Sequence, residues 1–348
     1  MSWQTEQAPL DAPATIGVLI AEAVPELETC IDRVTASAHQ YLTFLHGTTE
    51  MEHGIDVAMI QMTNDFFDVL YDVSTGRGRS VLRGARTLFE LLVTVLDIRG
   101  NPKMDARYYD YRWVSAQLEA DLSLEAKFLP KKDRSADLHR RKKLRRDSAK
   151  GREEAVTKYG KNFRLSWSPN NLATRANRHG LDEEYAFYRF ASAVLHGTAG
   201  AAVGLESELE GRVLFRVGPA LALCPMAFLY ALHFFSKVAA ATGDRLGGPA
   251  LPDLRVAIRE AQALWPNYRR AVMRIDRKLW PTALLDTLIA VLAFTDQGRT
   301  EQWYLHNTAA STVVLAEPLD ENDLTEAERR SLAVLREYAP QHPSVAEI

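Results

Sequence analysis

The segment from Arg79 to Ile98 carries apolar residues around most of its helical circumference. Its apolar positions are Val81, Leu82, Ala85, Leu88, Phe89, Leu92, Val95 and Leu96. A helix of this kind has to pack against other elements on most sides. Elsewhere apolar residues also recur at three- and four-residue spacing, and few runs alternate with a period of two. The sequence therefore predicts a mainly α fold, with a helical-bundle core and a smaller helical C-terminal region.

Breaks and apolar spacing also predict where the other elements lie. Helices are expected at 15–46 (divided by Pro25), 50–72, 104–127, 172–179, 182–196, 221–241, in two runs within 253–294, and at 325–338. Residues 212–216 fit a short strand or an extended link, and residues 307–317 fit a short strand or a buried connection. A Gly- and Pro-rich linker at 243–252 suggests three regions: 1–48, a core at 49–242, and 253–348 with an acidic tail.

Composition indicates a soluble protein. Of 348 residues, 47% are apolar and 25% are charged, as in ordinary globular domains. Cys30 and Cys224 lie too far apart to suggest a disulfide framework or a metal cluster, which fits the cytoplasm. The acidic N-terminal residues do not resemble a signal peptide. The apolar run at 219–235 is shorter than a membrane span, so we expect a buried helix there and no membrane association.

Residues 182–200 are the part of the sequence that most suggests chemistry. Asp182 is a suitable N-cap and Gly197 a suitable C-terminal cap. Arg189 and His196 stand two helical turns apart, opposite the apolar face, so their side chains are expected to point the same way. The same stripe contains Tyr185 and Ser192. An ordinary surface helix, whose histidine complements the helix dipole, would show the same pattern.

The predicted helix at 79–98 has a narrow polar stripe. Its members are Arg79, Arg83, Arg86, Glu90 and Asp97. Arg86 and Glu90 have the spacing of an intrahelical ion pair. Because the other faces are apolar, this stripe has to face solvent, a cleft or an internal network of ion pairs.

Three aspartates in the predicted helix at 50–72 share one side. Asp65, Asp68 and Asp72 have the spacing to hold a metal ion together. No histidines accompany them in the sequence, which favours a solvated face or arginine partners. We therefore predict neither a metal site nor a cofactor.

Residues 131–152 are strongly basic, with eleven Lys or Arg against three Asp. Such a run is either a solvated helix or connection, or a surface that binds a phosphate backbone without reading sequence. The candidate nucleic-acid-binding residues are Arg140, Arg141, Lys142, Lys143, Arg145 and Arg146.

Several short motifs, in this order, resemble the domain-of-unknown-function 5677 family of bacterial helical proteins. They are RTLFEL at 86–91, SWSPNNL at 166–172, ATRANRHGL at 173–181 and EYAFYRFASAVLHGT at 184–198. The resemblance covers roughly residues 50 to 240. It implies a helical fold, and the family has no settled activity.

A more distant resemblance is to the HEPN superfamily of helical-bundle ribonucleases, which carry an Arg, four to six residues, and then a His on one late helix. Arg189 and His196 match that spacing. The resemblance implies a metal-independent endoribonuclease or RNA-binding toxin that acts on RNA as a homodimer, with phage defence as the expected role. Arg189 and His196 would be catalytic, supported by Tyr185, Ser192 and the Arg86–Glu90 pair.

A second hypothesis is non-catalytic. The bundle would be a binding or regulatory module in which Arg86, Glu90, Arg189 and His196 form a structural polar network that fixes helix register. Burial with every donor satisfied would favour the network, whereas Arg189 and His196 open to solvent in a cleft would favour catalysis.

Overall fold

A computed structural model of the chain describes residues 12–43, 53–122, 127–196, 206–209, 212–215, 220–246, 250–279, 286–295, 298–307 and 312–316, with position 329. This described part is mainly α-helical and its long helices form a bundle, which confirms the predicted fold class. Apart from position 329, the predicted last helix at 325–338 lies outside the described residues, and so does the cap residue Gly197.

The helices follow the apolar spacing closely. Their bounds are α1 Ala12–Ala23, α2 Glu26–Thr43, α3 His53–Ser74, α4 Gly78–Ile98, α5 Pro102–Asp110, α6 Arg112–Asp121, α7 Lys131–Tyr159, α8 Leu172–Arg178, α9 Asp182–Leu195, α10 Cys224–Leu246 and α11 Ala250–Leu279. The break between α1 and α2 falls at Pro25, as predicted, because proline lacks the N–H that a continuous helix needs.

α4 lies at the centre of the bundle, where it packs on α3, α9 and α10. Leu88, Phe89 and Leu92 are fully buried. The ring of Phe89 packs 5.5 Å from the ring of Tyr188 on α9 and 5.5 Å from that of Phe234 on α10. These contacts confirm that the apolar circumference of this helix is covered on most sides.

α10 is a core helix. Phe235 stacks on Phe66 of α3 at a centroid separation of 4.2 Å. The stretch Leu221–Gly243 is long and apolar enough to cross a membrane by length and composition, and 61% of its most apolar window is buried inside the protein. Core helices of soluble proteins show the same combination.

Helices from all three predicted regions contribute to one core cluster. Ile20 of α1, Val34 of α2 and Ile258 of α11 belong to the same cluster as α4 and α10. The hydroxyl of the buried Tyr268 on α11 donates to the carbonyl of Val73 at the end of α3, over 3.0 Å. The division of the chain into regions at 48 and 242 stays a prediction.

α6 and α7 pack along each other as a helical hairpin, here called the α6–α7 arm. The arm has a small apolar cluster of its own, formed by Val114, Ala155 and Phe163. Gly151 of α7 lies against the indole of Trp113, and a Cβ there would come within 2.5 Å of ring atom Cδ2. Glycine at this position therefore allows the two helices to approach closely.

Two predictions about helix boundaries are wrong. Residues 104–127 do not form one helix, because α5 ends at Asp110 and α6 begins after Tyr111. Residues 253–294 do not hold two helical runs, since α11 continues through Pro266 and the chain is in a strand from Asp286. Packing of α11 on α2 and α10 stabilises the helix across the proline, so tertiary contacts override the local signal.

The strands of the described chain form two antiparallel sheets. β1 Glu206–Leu209 pairs with β2 Arg212–Phe215, and β4 Gly298–Asn307 lies between β3 Asp286–Thr295 and β5 Thr312–Ala316. β2 and β5 fall where the sequence suggested short strands.

Candidate functional site

The inward face of α9 is apolar, which fixes the direction of its polar side chains. Phe187, Ala191 and Val194 are buried in the core, and Phe187 stacks on Tyr230 of α10 at 4.1 Å. The helix begins one residue earlier than an N-cap at Asp182 would give, since Leu181 is the N-cap and Asp182 lies in the first turn.

Arg189 and His196, the predicted catalytic pair, are both exposed. Neither side chain makes a hydrogen bond or ion pair with any residue that the structure describes. α9 ends at Leu195, so the prediction that His196 is helical is wrong by one residue. His196 has extended backbone (φ −75°, ψ 149°), and its N–H donates to the carbonyl of Ser192 over 3.0 Å. Seven residues along a helix correspond to about 10 Å, a span that a long arginine side chain can shorten.

The predicted Arg86–Glu90 pair forms on α4 and reaches α9. Arg86 Nη2 lies 3.1 Å from Glu90 Oε1 and donates to the Tyr188 hydroxyl over 3.3 Å. Its guanidinium also stands over the Tyr188 ring at 5.1 Å. The pair therefore touches the same helix as Arg189 and His196, although it contacts neither of those two side chains.

Arg79 makes a second connection between α4 and α9. Its Nη2 donates over 3.0 Å to the carbonyl of Val194, two residues before His196. Carbonyls in the last turn of a helix lack intrahelical partners, and a guanidinium can satisfy them. The sequence placed Arg79 in the polar stripe but gave no indication of this contact.

Two polar atoms between α4 and α9 are buried without a hydrogen-bond partner in the described part of the chain. They are Oγ of Ser192, a predicted supporting residue, and Nε of Arg86. Tyr185, the other supporting residue on α9, is half-buried, and its ring stacks on that of Tyr188 at 5.7 Å.

The C-terminal half of the α4 stripe forms a buried cluster with α8 that the sequence analysis did not predict. Arg175 donates from Nε to Asp97 and, over 3.0 Å, from Nη2 to Thr94 Oγ1. His179 Nε2 lies 2.7 Å from the other carboxylate oxygen of Asp97. The Trp167 ring covers Arg175 at 4.5 Å, which explains the aromatic anchor in the loop before α8. Arg175 and His179 are four residues apart, a spacing that could have indicated a shared partner.

Glu184, on the inner side of α9, pairs with α10. His233 Nε2 lies 3.0 Å from its Oε1, and Lys237 also donates to that oxygen. Burial raises the pKa of Glu184, but the hydrogen bonds from His233 and Lys237 outweigh it, so the pKa lies below its usual value.

The basic segment is helical, and its arginines differ in burial and in how closely they pair with carboxylates. Arg141 is buried and bonds Asp137 over 2.7 Å. Arg145 bonds Asp121 over 2.6 Å, on the opposite helix of the arm. The remaining predicted residues are exposed. Arg140 contacts Glu119 and Asp137 at 3.4 Å, and Arg146 contacts Asp147 at 3.3 Å. Lys142 and Lys143 have no hydrogen bond or ion pair to described residues.

Lys142 and Lys143 lie on the solvent side of α7. At 100° per residue they share that side with Lys132, His139 and Lys150, while Arg141 points inward. The outer surface of the arm therefore presents a basic stripe about 27 Å long.

Among the described residues, no group of three or more His, Cys, Asp or Glu is arranged to hold a metal ion. Asp72 has an arginine partner, Arg77, at 3.8 Å, which is one of the arrangements expected from the sequence.

Residues 68–210 match the model of a family of unknown function, DUF5677. This part of the chain is similar to that family. The DUF5677 segment contains α4, α8 and α9, with the contacts of Arg86, Asp97 and Arg175 described above, and the family recognition made from the sequence is confirmed. No curated protein and no solved structure matches the chain.

Proposed function

We propose that this protein is a metal-independent endoribonuclease of the HEPN kind, in which Arg189 and His196 are the catalytic residues. One observation carries the proposal: both side chains are exposed and without a partner in the described chain, whereas Arg79, Arg86 and Glu184 nearby are engaged in contacts between helices. Exposed, unpartnered groups are available to a substrate.

The chemistry follows from the two residue types. The ribose 2′-oxygen attacks the adjacent phosphorus, the bond to the 5′-oxygen breaks, and a cyclic phosphate and a free 5′-hydroxyl remain. A base has to take the proton from the 2′-hydroxyl and an acid has to protonate the leaving oxygen. The unperturbed pKa of histidine, near 6.5, allows His196 to do either. Arg189 holds a permanent charge and two parallel donors against the phosphate.

A homodimer completes this proposal. One histidine cannot be base and acid in a single step, and a second copy would supply the other His196. RNA would first be held by the basic stripe of the α6–α7 arm, through contacts to phosphates that do not read sequence. A bacterial cytoplasm and a role in phage defence are the setting that this chemistry would suit.

The direct test is incubation of the purified full chain with total RNA in EDTA. We expect cleavage by the wild type, and a loss of about 10²-fold or more in His196→Ala, the usual contribution of positioned proton transfer. Arg189→Lys keeps the charge but loses the paired donors, so it should also be impaired. His53→Ala and Arg259→Lys, which change exposed residues on α3 and α11, are the matched controls.

The melting temperature of His196→Ala should equal that of the wild type, because the side chain has no partner among the described residues. Cleavage that disappears in EDTA, or that survives His196→Ala at the full rate, would reject the proposal. Sedimentation of the wild type tests the homodimer.

A non-catalytic binding or regulatory module remains the second candidate. It is favoured by the contacts of Arg86 with Glu90 and Tyr188, which hold α4 against α9 as a register-fixing network would. If no cleavage occurs and Arg86→Ala lowers both stability and ligand binding, this candidate is the better description.

A further inference from the structure

The line of contact between α4 and α9, here called the α4–α9 seam, has an antiparallel register. Arg79 meets Val194 near one end, Arg86 meets Tyr188 further along, and Phe89 meets Tyr185 beyond it. Interpolation along these pairs places Arg83 level with Phe190 and Ala191, between Arg189 and Ser192 and about 6 Å along the axis from Arg79. The seam therefore brings the first half of the α4 stripe beside the polar flank of α9.

The seam carries more basic than acidic side chains. α4 contributes Arg79, Arg83 and Arg86, and α9 contributes Arg189. The acidic residues near them are Glu90, which pairs with Arg86, and Asp72 of α3, which lies close enough to Arg83 to interact with its charge. Arg83 is exposed and makes no hydrogen bond or salt bridge to described residues. Cations gathered along one line attract an anionic polymer, because each contact with a phosphate releases a counterion.

Unsatisfied polar atoms mark the same place. Ser192 Oγ and Arg86 Nε are buried without partners in the described chain. Leaving such groups unpaired destabilises the folded protein, so a ligand oxygen that reaches them after a small side-chain movement gains a hydrogen bond. Phosphate oxygens accept from both hydroxyl and guanidinium donors.

Aromatic rings accompany the cations. Tyr185 and Tyr188 are half-buried on the flank of α9 and lie nearly parallel to each other, 17° apart. A positive groove interleaved with aromatic rings is typical of single-strand binding, in which bases stack on rings while cations follow the backbone.

We infer that the α4–α9 seam binds the phosphodiester backbone of single-stranded RNA, with Arg83 and Ser192 holding the phosphate next to the one at Arg189 and His196. The inference rests on the proposed function for its choice of RNA. It adds a substrate form, single-stranded, and two binding residues on a surface separate from the α6–α7 arm.

The test is fluorescence anisotropy with a labelled oligouridine whose 2′-hydroxyls are methylated, so that cleavage cannot interfere. Arg83→Ala should weaken binding and lower the slope of log K against log salt by about 0.7, the value of one phosphate contact on a single strand. Ser192→Ala should weaken binding with an unchanged or higher melting temperature. The matched control is Arg259→Ala, an exposed arginine on α11, which packs on α2 and α10. An unlabelled duplex of equal length should compete poorly.

The outcomes separate the two proposals. Suppose that the wild type binds the oligouridine, and that Arg83→Ala and Ser192→Ala leave the affinity and the salt slope unchanged. The proposal that the seam binds RNA is then rejected, while the proposed ribonuclease activity is unaffected. If Arg83→Ala shows the expected loss but His196→Ala cleaves RNA at the full rate, the seam stands and the catalytic proposal fails. A wild type that does not bind the single strand, or that prefers the duplex, overturns the seam.

Discussion

Arg175 on α8 donates to the carboxylate of Asp97 on α4, 78 residues earlier in the chain, and both side chains are almost fully buried, at 7% and 3% exposure. The carboxylate also accepts from His179, so it holds the turn after α8 against the central helix. This contact orients α8 immediately before α9 begins, and α9 carries the candidate catalytic residues.

Asp97→Ala should destabilise the protein strongly. It leaves the Arg175 charge buried without a counterion, which costs about 3–5 kcal/mol. The measurement is the free energy of unfolding in urea. Glu260→Ala is the control, because its partner Arg33 is exposed and a surface pair contributes about 1 kcal/mol or less. The double change Asp97→Leu with Arg175→Met should recover part of the loss, and an equally small effect for Asp97→Ala and Glu260→Ala would contradict a structural role for the pair.

Substitutions at neighbouring positions of α7 should affect either RNA binding or folding, depending on whether the side chain is exposed or buried. Lys142→Ala with Lys143→Ala should reduce the salt dependence of RNA affinity at an unchanged melting temperature, since both side chains are exposed and unpaired in the described chain. Arg141→Ala should lower the melting temperature, because it removes the buried partner of Asp137. An unchanged salt slope in the lysine double variant would leave α7 as a solvated helix.

Asp65→Asn should raise stability at neutral pH. Burial first, and then the charge of Asp68, raise the pKa of Asp65 above its ordinary value of 3.8. A raised carboxyl pKa means that ionisation of Asp65 disfavours the folded state. The resulting loss of stability is fully present above the pKa of the folded state and vanishes below the pKa of the unfolded state. Thermal melts from neutral pH to pH 3 should show the advantage of Asp65→Asn shrinking with acidity. Asp68→Asn should give a smaller gain of the same sign, and a loss of stability in Asp65→Asn would show that the carboxylate is needed.

Glu184 should contribute stability with the opposite pH dependence. Despite burial, the hydrogen bonds from His233 and Lys237 lower its pKa, so its contribution is present above the unfolded pKa and is lost as pH falls through the folded one. The stability difference between the wild type and Glu184→Gln should therefore be largest at neutral pH and decline below the ordinary glutamate range. Glu183→Gln, at the exposed neighbouring position, should show no such trend.

Much of the helical architecture was predictable because it depends on local spacing. The limits of α4, α8 and α9 follow to within one residue from apolar periodicity and from residues that end helices, as do the break at Pro25 and the burial of α10. The pairing of Arg86 with Glu90 was predictable for the same reason, since residues four apart on a helix are neighbours. Long-range relations were not: the break at Tyr111 and the continuation of α11 through Pro266 depend on what each segment packs against.

For the candidate site, the sequence by itself determined that Arg189 lies on the side of α9 opposite its apolar face, because a helix fixes direction within a few turns. His196 follows the last residue of that helix in extended backbone. Tertiary structure decided which polar residues form hydrogen bonds or ion pairs with other helices. It buried Arg175 and His179 on Asp97, turned Arg79 and Arg86 toward α9, and left Arg83, Arg189 and His196 exposed. The physical reason is that helical periodicity specifies a face, whereas the partner of a charge depends on which other helix covers that face, and residues far apart in the chain supply it.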